Sequence, residues 1–126
     1  EDKLRESMQN LEGILNNQNS WIYVIDGETY QLRYINEKTY QIAPETRLGM
    51  CCYEAFFKRN EPCEHCPVRE CAGKESSILE VYNPVLNVWT LADSSRIRWG
   101  DREAFLLDCH DISPYKRMEK EEAANR

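Results

Sequence analysis

Long apolar runs are missing from this sequence, and so are clusters of basic residues. No stretch approaches the roughly 18 consecutive apolar residues that a membrane-spanning helix needs, and no signal peptide is visible. Lys and Arg total 16 against 22 Asp and Glu, which gives a net charge of −6 without a basic face. We therefore expect a cytoplasmic protein with neither a membrane nor a nucleic acid as partner. Because the chain begins with Glu1 rather than Met, we also expect it to be part of a longer protein.

The sequence also lacks the motifs of several common catalytic sites. It contains no Gly-x-x-x-x-Gly-Lys-Ser/Thr loop, no Gly-x-Gly-x-x-Gly and no His-Glu-x-x-His. Its only histidines are His65 and His110. These absences argue against a nucleotide-binding loop and against a zinc-protease helix. They predict that the domain is not itself an enzyme and has no catalytic residue.

Cysteine, in contrast, is abundant and clustered. Five of the six cysteines fall within residues 51–71, and the sixth is Cys109. A disulfide-rich secreted scaffold spreads its cysteines to connect distant loops, so a local cluster favours a cytoplasmic protein with a local cysteine site. The centre of the cluster is "PCEHCP", residues 62–67, in which Cys63 and Cys66 form a Cys-x-x-Cys pair.

Four interpretations of this pair compete, and the sequence disfavours the last of them. The first is a proline-bracketed turn with buried, reduced thiols, because free cysteine behaves as a small apolar residue. The second is a redox couple that closes into a disulfide, with an upstream cysteine as a third, exchanging thiol. The third is half of a zinc or iron–sulfur site. The fourth, a catalytic thiol, needs a base and an oxyanion hole that the sequence does not offer. The redox or metal candidates are Cys52, Cys63 and Cys66, and a further metal ligand would be Cys51, His65 or Cys71.

The first segment carries an apolar heptad stripe. Leu4, Met8, Leu11 and Leu15 recur at steps of four, three and four, which predicts a helix over residues 1–17. The stripe either packs on its own domain or forms the end of a coiled-coil linker that pairs with a second copy. Two heptads do not decide between these alternatives. If the stripe pairs, its short seam predicts a weak homodimer.

The remaining pattern predicts an α+β domain built on a five-stranded antiparallel sheet. A hairpin is expected from "WIYVID" and "LRYIN", followed by a helix that Asn36 caps and Pro44 stops. Short helices and loops up to residue 74 should cover one face of the sheet. Three more strands are expected in "SSILEVYNP", "NVWTLADSSRIRW" and "REAFLLDCHDI", with a tight turn at Gly100-Asp101 between the last two.

These elements resemble a PAS domain, the small sensory module of bacterial signalling proteins. The resemblance covers residues 18–118 and rests on "WIYVIDGETYQLRYINEKTYQIA", "YNPVLNVWTLADSSRIRW" and "FLLDCHDISPYKRMEKEE". A subset of PAS domains, often placed ahead of diguanylate cyclase (GGDEF) or histidine kinase modules, carries Gly-x-x-Cys-Tyr followed by Pro-Cys-x-x-Cys-Pro. In this chain the matching residues are Gly49, Cys52, Tyr53, Pro62, Cys63, Cys66 and Pro67.

The resemblance implies a PAS domain over residues 18–113, between an N-terminal linker helix and an output or linker helix over 114–126. It implies a non-catalytic sensory and dimerisation module that relays a ligand or redox signal to an attached diguanylate cyclase or histidine kinase. Its partners would be a second copy of the chain, that output domain and an unidentified small ligand. The alternative is a thiol redox or metal-binding domain that works through Cys63 and Cys66.

Two further expectations follow from the resemblance. The signature of flavin-binding photoreceptors is absent and the two histidines are poorly placed for haem, which argues against both cofactors. The last strand runs into Asp111-Ile112-Ser113, where the family usually has Asp-Ile-Thr, and then directly into a charged helix. We therefore expect Asp111 and Ile112 to relay the signal, with Ser113 capping the helix and Pro114 in its first turn.

Overall fold

The structure, a computed structural model, describes most of the chain. The described residues are 20–63, 66–71 and 75–124, together with Lys3, Arg5, Glu6 and Gln9. His65 is outside them. Also outside lie the members of the heptad stripe, Leu4, Met8, Leu11 and Leu15. The dimer helix therefore stays a prediction.

Five strands form one antiparallel sheet. They are β1 Trp21–Asp26, β2 Leu32–Ile35, β3 Ser76–Asn83, β4 Val88–Trp99 and β5 Arg102–Asp111. Their order across the sheet is β2-β1-β5-β4-β3, so the last strand of the chain occupies the middle. All four pairings between neighbours are antiparallel. The predicted α+β class and the five-stranded antiparallel sheet are confirmed.

Helices fill the connection between β2 and β3 and follow β5. They are α1 Glu37–Ile42, α2 Cys52–Phe57, α3 Pro67–Glu70 and α4 Ser113–Ala124. In the described part of the chain, no helix combines the length and apolarity needed to cross a membrane. The core lies between one face of the sheet and the short helices, where Phe56 of α2 and Val68 of α3 pack with Tyr23, Ile25 and Leu107.

The β4–β5 hairpin has the tight turn that the sequence predicted. Trp99 pairs directly with Arg102, so only Gly100 and Asp101 connect the strands. Gly100 has φ +67°, in the left-handed region that a side chain rarely adopts. A two-residue turn of this kind fixes the register of both strands, and the alternation of β5 places Leu107 on the core side.

Asn36 fixes α1 against β1. Its Oδ1 accepts hydrogen bonds from the backbone N–H of Thr39 at 3.2 Å and of Ile22 at 2.9 Å. Its Nδ2 donates to the carbonyl of Ser20 at 3.1 Å, and the residue is fully buried. The predicted N-cap is therefore confirmed. The same amide also connects the helix to the strand, which a local pattern does not reveal.

A buried carboxylate connects the first hairpin to the start of β5. Asp26 accepts from Arg102, with Nε–Oδ2 at 2.5 Å and Nη2–Oδ1 at 3.1 Å. Its Oδ1 also accepts from the backbone N–H of Glu28 at 2.9 Å and of Thr29 at 3.2 Å. The hydrogen bond from Arg102, then that from the Glu28 backbone, hold the pKa of the Asp26 carboxyl well below its usual range. Only 1% of the Asp26 side chain is exposed.

We predict that Asp26→Asn lowers the free energy of unfolding by about 2 kcal/mol at neutral pH, because charged hydrogen bonds to a buried group are lost. Folding lowers the pKa of Asp26, so its stabilisation is complete above the unfolded value of about 3.9 and is lost as the pH falls towards the folded value. The difference between wild type and variant should therefore shrink below about pH 4.

Urea unfolding at several pH values measures this difference. Glu28→Gln is the matched control, because the Glu28 carboxylate is 86% exposed and lies 3.7 Å from Arg102. It should change stability by less than about 0.5 kcal/mol. A stability difference for Asp26→Asn that is constant down to acidic pH would contradict the assignment.

Candidate functional site

A small enclosed cavity lies in the core, between the sheet and the segment that carries the cysteines. Its volume is about 20 Å³, which is space for about one water molecule. Tyr23 on β1 and Leu107 on β5 contribute to its walls. The three cysteines singled out from the sequence, Cys52, Cys63 and Cys66, all line this cavity. The fold thus brings together thiols that are up to 14 positions apart in the sequence.

Backbone contacts and helix ends position these three thiols. Cys52 is the first residue of α2, and its backbone N–H donates to the carbonyl of Tyr30 at 3.0 Å. This bond anchors α2 beside the first hairpin. Cys63 lies in the loop after α2, and Cys66 directly precedes α3, which begins at Pro67. Cys66 is buried, whereas Cys63 is only half-buried.

Burial disfavours the thiolate form of two of these thiols, Cys52 and Cys63. It raises the pKa of the Cys52 thiol far above its usual value, and the neighbouring Cys66 and Cys63 raise it further. Burial also raises the pKa of the Cys63 thiol. The neighbouring Cys66 raises it further, whereas the positive charge of Arg59 lowers it. Because the thiolate is the reactive form, both thiols are poor nucleophiles at neutral pH in this conformation. All six cysteines have free thiols.

The other three cysteines lie apart from the cavity walls. Cys51 donates from Sγ to the carbonyl of Thr29 at 3.5 Å, and Cys71 donates to the carbonyl of Ser94 at 3.8 Å. Cys109 is buried on β5, and burial raises the pKa of its thiol to about 12. Each of these cysteines therefore has a structural environment of its own.

The geometry gives no support of its own to a metal site. Within residues 20–63, 66–71 and 75–124, no group of three or more Cys, His, Asp or Glu side chains is placed to hold a metal ion. His65, one of the ligands considered from the sequence, lies outside the described residues. A zinc or iron–sulfur site therefore stays a prediction made from the sequence alone.

Strand β5 passes directly into α4 through the two residues predicted to relay a signal. Asp111 is the last residue of β5, and its Oδ1 accepts from the backbone N–H of Ser113 at 2.8 Å. Ile112 is the only residue between strand and helix. Its N–H donates to the carbonyl of Trp89 at 2.8 Å, and its carbonyl accepts from the N–H of Lys116 at 3.0 Å.

The first turn of α4 is also bonded to the strands beside it. Ser113, expected to cap the helix, is its first residue, and its Oγ accepts from the backbone N–H of Trp89 at 3.0 Å. The Nζ atom of Lys116 lies 2.5 Å from Oε2 of Glu80 on β3 and 5.0 Å from the ring centre of Trp89. We call Glu80, Trp89 and Lys116 the helix clasp.

Sequence reasoning missed the helix clasp. Glu80 on β3, Trp89 on β4 and Lys116 on α4 are brought together by strand pairing, since Tyr82 pairs with Trp89. No local motif connects them. The only signal in the sequence was a tryptophan, Trp89, near the start of a predicted strand, which does not indicate a partner. The clasp links α4 to two strands in addition to β5.

Comparison with solved structures identifies the fold. A PAS domain of an HTR-like protein from Haloarcula marismortui is similar with a TM-score of 0.69 and 17% identity, over 88% of this chain and 96% of that one. A PAS domain from a two-component sensor histidine kinase has a TM-score of 0.62 and 12% identity, over 88% and 99%. No protein-family model and no curated protein matches the chain.

A third neighbour agrees with these two. The PAS domain of nitrogen regulation protein NR(II) from Vibrio parahaemolyticus has a TM-score of 0.64 and 14% identity, over 81% of this chain and 97% of that one. The chain therefore has the PAS fold that its sequence resembles. Membership of the cysteine-containing subset stays a prediction.

We predict that Lys116→Met loosens the first turn of α4. The substitution keeps a long apolar stem but removes the ion pair with Glu80 and the cation above Trp89. Amide hydrogen exchange in that turn should become roughly fivefold faster. Lys120→Met, on an exposed position of the same helix, is the matched control and should leave this exchange unchanged. Equal rates in wild type and Lys116→Met would show that the clasp does not hold the helix.

Proposed function

We propose that this PAS-fold domain is a non-catalytic sensory module of a bacterial signalling protein, and that its signal is the redox state of the thiols in its core. The observation that carries the proposal is that Cys52, Cys63 and Cys66 all line one small cavity. The neighbours of the same fold support a sensory role, because one is a domain of a sensor histidine kinase.

The proposed event is a disulfide between Cys63 and Cys66. An oxidised low-molecular-weight disulfide accepts two electrons and two protons from the two thiols and leaves as two thiols, so the exchange is balanced. Cys63 reacts first, because it is half-buried while Cys66 is buried. Its sulfur forms a mixed disulfide with one half of the reagent, and the Cys66 thiolate then displaces that half. The raised pKa of Cys63 keeps the reduced state stable against weak oxidants.

A change in the cavity can reach α4 through strand β5. Leu107 lines the cavity from β5, and β5 ends four residues later at Asp111. Only Ile112 separates the strand from the helix, and both of its backbone groups are bonded. A shift of β5 that follows disulfide formation therefore displaces the first turn of α4, because no flexible linker absorbs it.

The proposal includes the partners expected from the resemblance. In the complete protein, α4 leads to an output domain, a diguanylate cyclase or a histidine kinase, in the cytoplasm. The stripe of the N-terminal segment pairs with a second copy. The domain itself hydrolyses and transfers nothing, and all catalysis belongs to the attached domain.

We predict that excess oxidised glutathione links Cys63 to Cys66, and that peptide mass spectrometry locates the bond. The reaction should accelerate between about pH 7 and about pH 9, because the pKa of Cys63 is raised and the thiolate is needed. In Cys66→Ser, glutathione should stay attached to Cys63 or be displaced by Cys52. Cys51→Ser is the control and should form the wild-type bond.

Two other outcomes are informative. If Cys52, Cys63 and Cys66 remain unmodified under these conditions, the cysteines are only buried packing groups and the proposed redox sensing is wrong. If elemental analysis of the purified protein finds stoichiometric zinc or iron, the metal-binding alternative replaces it.

We predict that Asp111→Ala uncouples the output activity of the complete protein from thiol oxidation while the domain stays folded. The substitution removes the acceptor of the Ser113 N–H, and loss of a bond of this kind costs about 1 kcal/mol. Thermal unfolding of both forms should be measured first, so that a folding defect is recognised. Glu122→Ala, at an exposed position of α4, should leave regulation intact. Normal regulation in Asp111→Ala would exclude this residue from the relay.

A further inference from the structure

A second space, much larger than the enclosed cavity, opens along β3. Its volume is about 500 Å³, within the range of sites that bind small molecules. Four consecutive residues of β3, 79–82, line it, and β3 is an edge strand of the sheet that the described residues form. Because successive side chains of a strand point to opposite faces, Leu79 and Val81 lie on the face that carries the core, whereas Glu80 and Tyr82 lie on the other face, so the space extends around the sheet edge. Another wall comes from α2 and the loop after it, through Phe57, Arg59 and Cys63. We call this space the β3 groove.

The β3 groove is separate from the thiol-lined cavity but touches it. Phe57 and Cys63 line both spaces and therefore stand between them. Cys52 and Cys66 line only the enclosed cavity. A molecule in the groove consequently meets the Cys63 side chain without entering the core.

The charges on the groove walls favour an anion. Of its two charged side chains, Glu80 is already bonded to Lys116 Nζ at 2.5 Å. The other is Arg59, whose ion-pair partner Glu61 lies at 3.5 Å, has a carboxylate that is 73% exposed, and is not part of the groove wall. A partner so exposed to water binds weakly and is easily displaced. The groove therefore offers one cation that a ligand carboxylate can bind.

The rest of the lining is apolar and aromatic. Leu79 and Val81 lie on β3, Pro84 follows that strand, and Trp89 of the helix clasp also lines the groove. Such surfaces bind hydrocarbon chains and flat rings by excluding water. The groove thus combines an extended apolar wall with a single positive end.

We propose that the β3 groove binds a small amphipathic anion, with an aliphatic or aromatic body along β3 and one carboxylate at Arg59. This inference goes beyond the redox sensing proposed above and does not depend on it. Glu80 and Trp89 line the part of the groove beyond the edge of β3 and also belong to the helix clasp, so a molecule whose body extends around this edge touches the elements that hold α4. The groove is therefore an effector site adjacent to the output helix.

Decanoate is the probe, and decanol is its uncharged match. Calorimetry below the micellar concentration of decanoate should show saturable binding, about tenfold tighter than that of decanol. Arg59→Gln should remove this preference, and Arg59→Lys should retain part of it. Arg98→Gln, which changes an exposed arginine on β4 outside the groove, should bind both probes as wild type does. Absent saturation, or equal decanoate affinity in wild type and Arg59→Gln, would overturn the proposal.

Alkylation locates the bound probe. Decanoate should slow the reaction of iodoacetamide with Cys63 and leave that of Cys51 unchanged, since Cys51 does not line the groove. Peptide mass spectrometry measures the alkylation of both cysteines in one sample. Binding of decanoate without protection of Cys63 would place the probe elsewhere and overturn the assignment. Because the readout is alkylation of a reduced thiol, it remains valid even if Cys63 never forms a disulfide.

Discussion

The pairing of β5 with both β1 and β4 is the constraint on which the rest of the structure depends. The last strand of the domain is the central one, registered with six residues of β1 and with ten of β4. The sheet is therefore incomplete until nearly the whole domain has been assembled. The ion pair between Asp26 and Arg102 connects the end of β1 to the start of β5, so an electrostatic contact supports the same pairing.

The candidate site balances reactivity against stability. Buried thiols pack as small apolar side chains, and burial disfavours the thiolate on which their chemistry depends. In the proposed redox sensing, Cys63 reacts before Cys66, because Cys63 is half-buried and Cys66 is buried. Cys63 also lines both the enclosed cavity and the open groove, so solutes can reach it from the groove.

Features determined by adjacent residues could be predicted from the sequence, and features determined by long-range pairing could not. The turn at Gly100-Asp101 and the Asn36 cap are local, and both were predicted. Clustering along the chain was enough to predict that Cys52, Cys63 and Cys66 lie near one another, and all three line one cavity. Ser113 was expected to bond its own helix, yet its hydroxyl accepts from Trp89, 24 positions away, because strand pairing determines which groups are adjacent.

The attachment of α4 has a mechanical consequence. None of its side chains in the described part of the chain is buried, and its bonds to the sheet involve its first turn. Twelve residues at about 1.5 Å each give a rod of about 18 Å that is held at one end. A tilt of about 10° at this end would move the last described turn of the helix by about 3 Å, so a helix of this length enlarges a small displacement in the sheet.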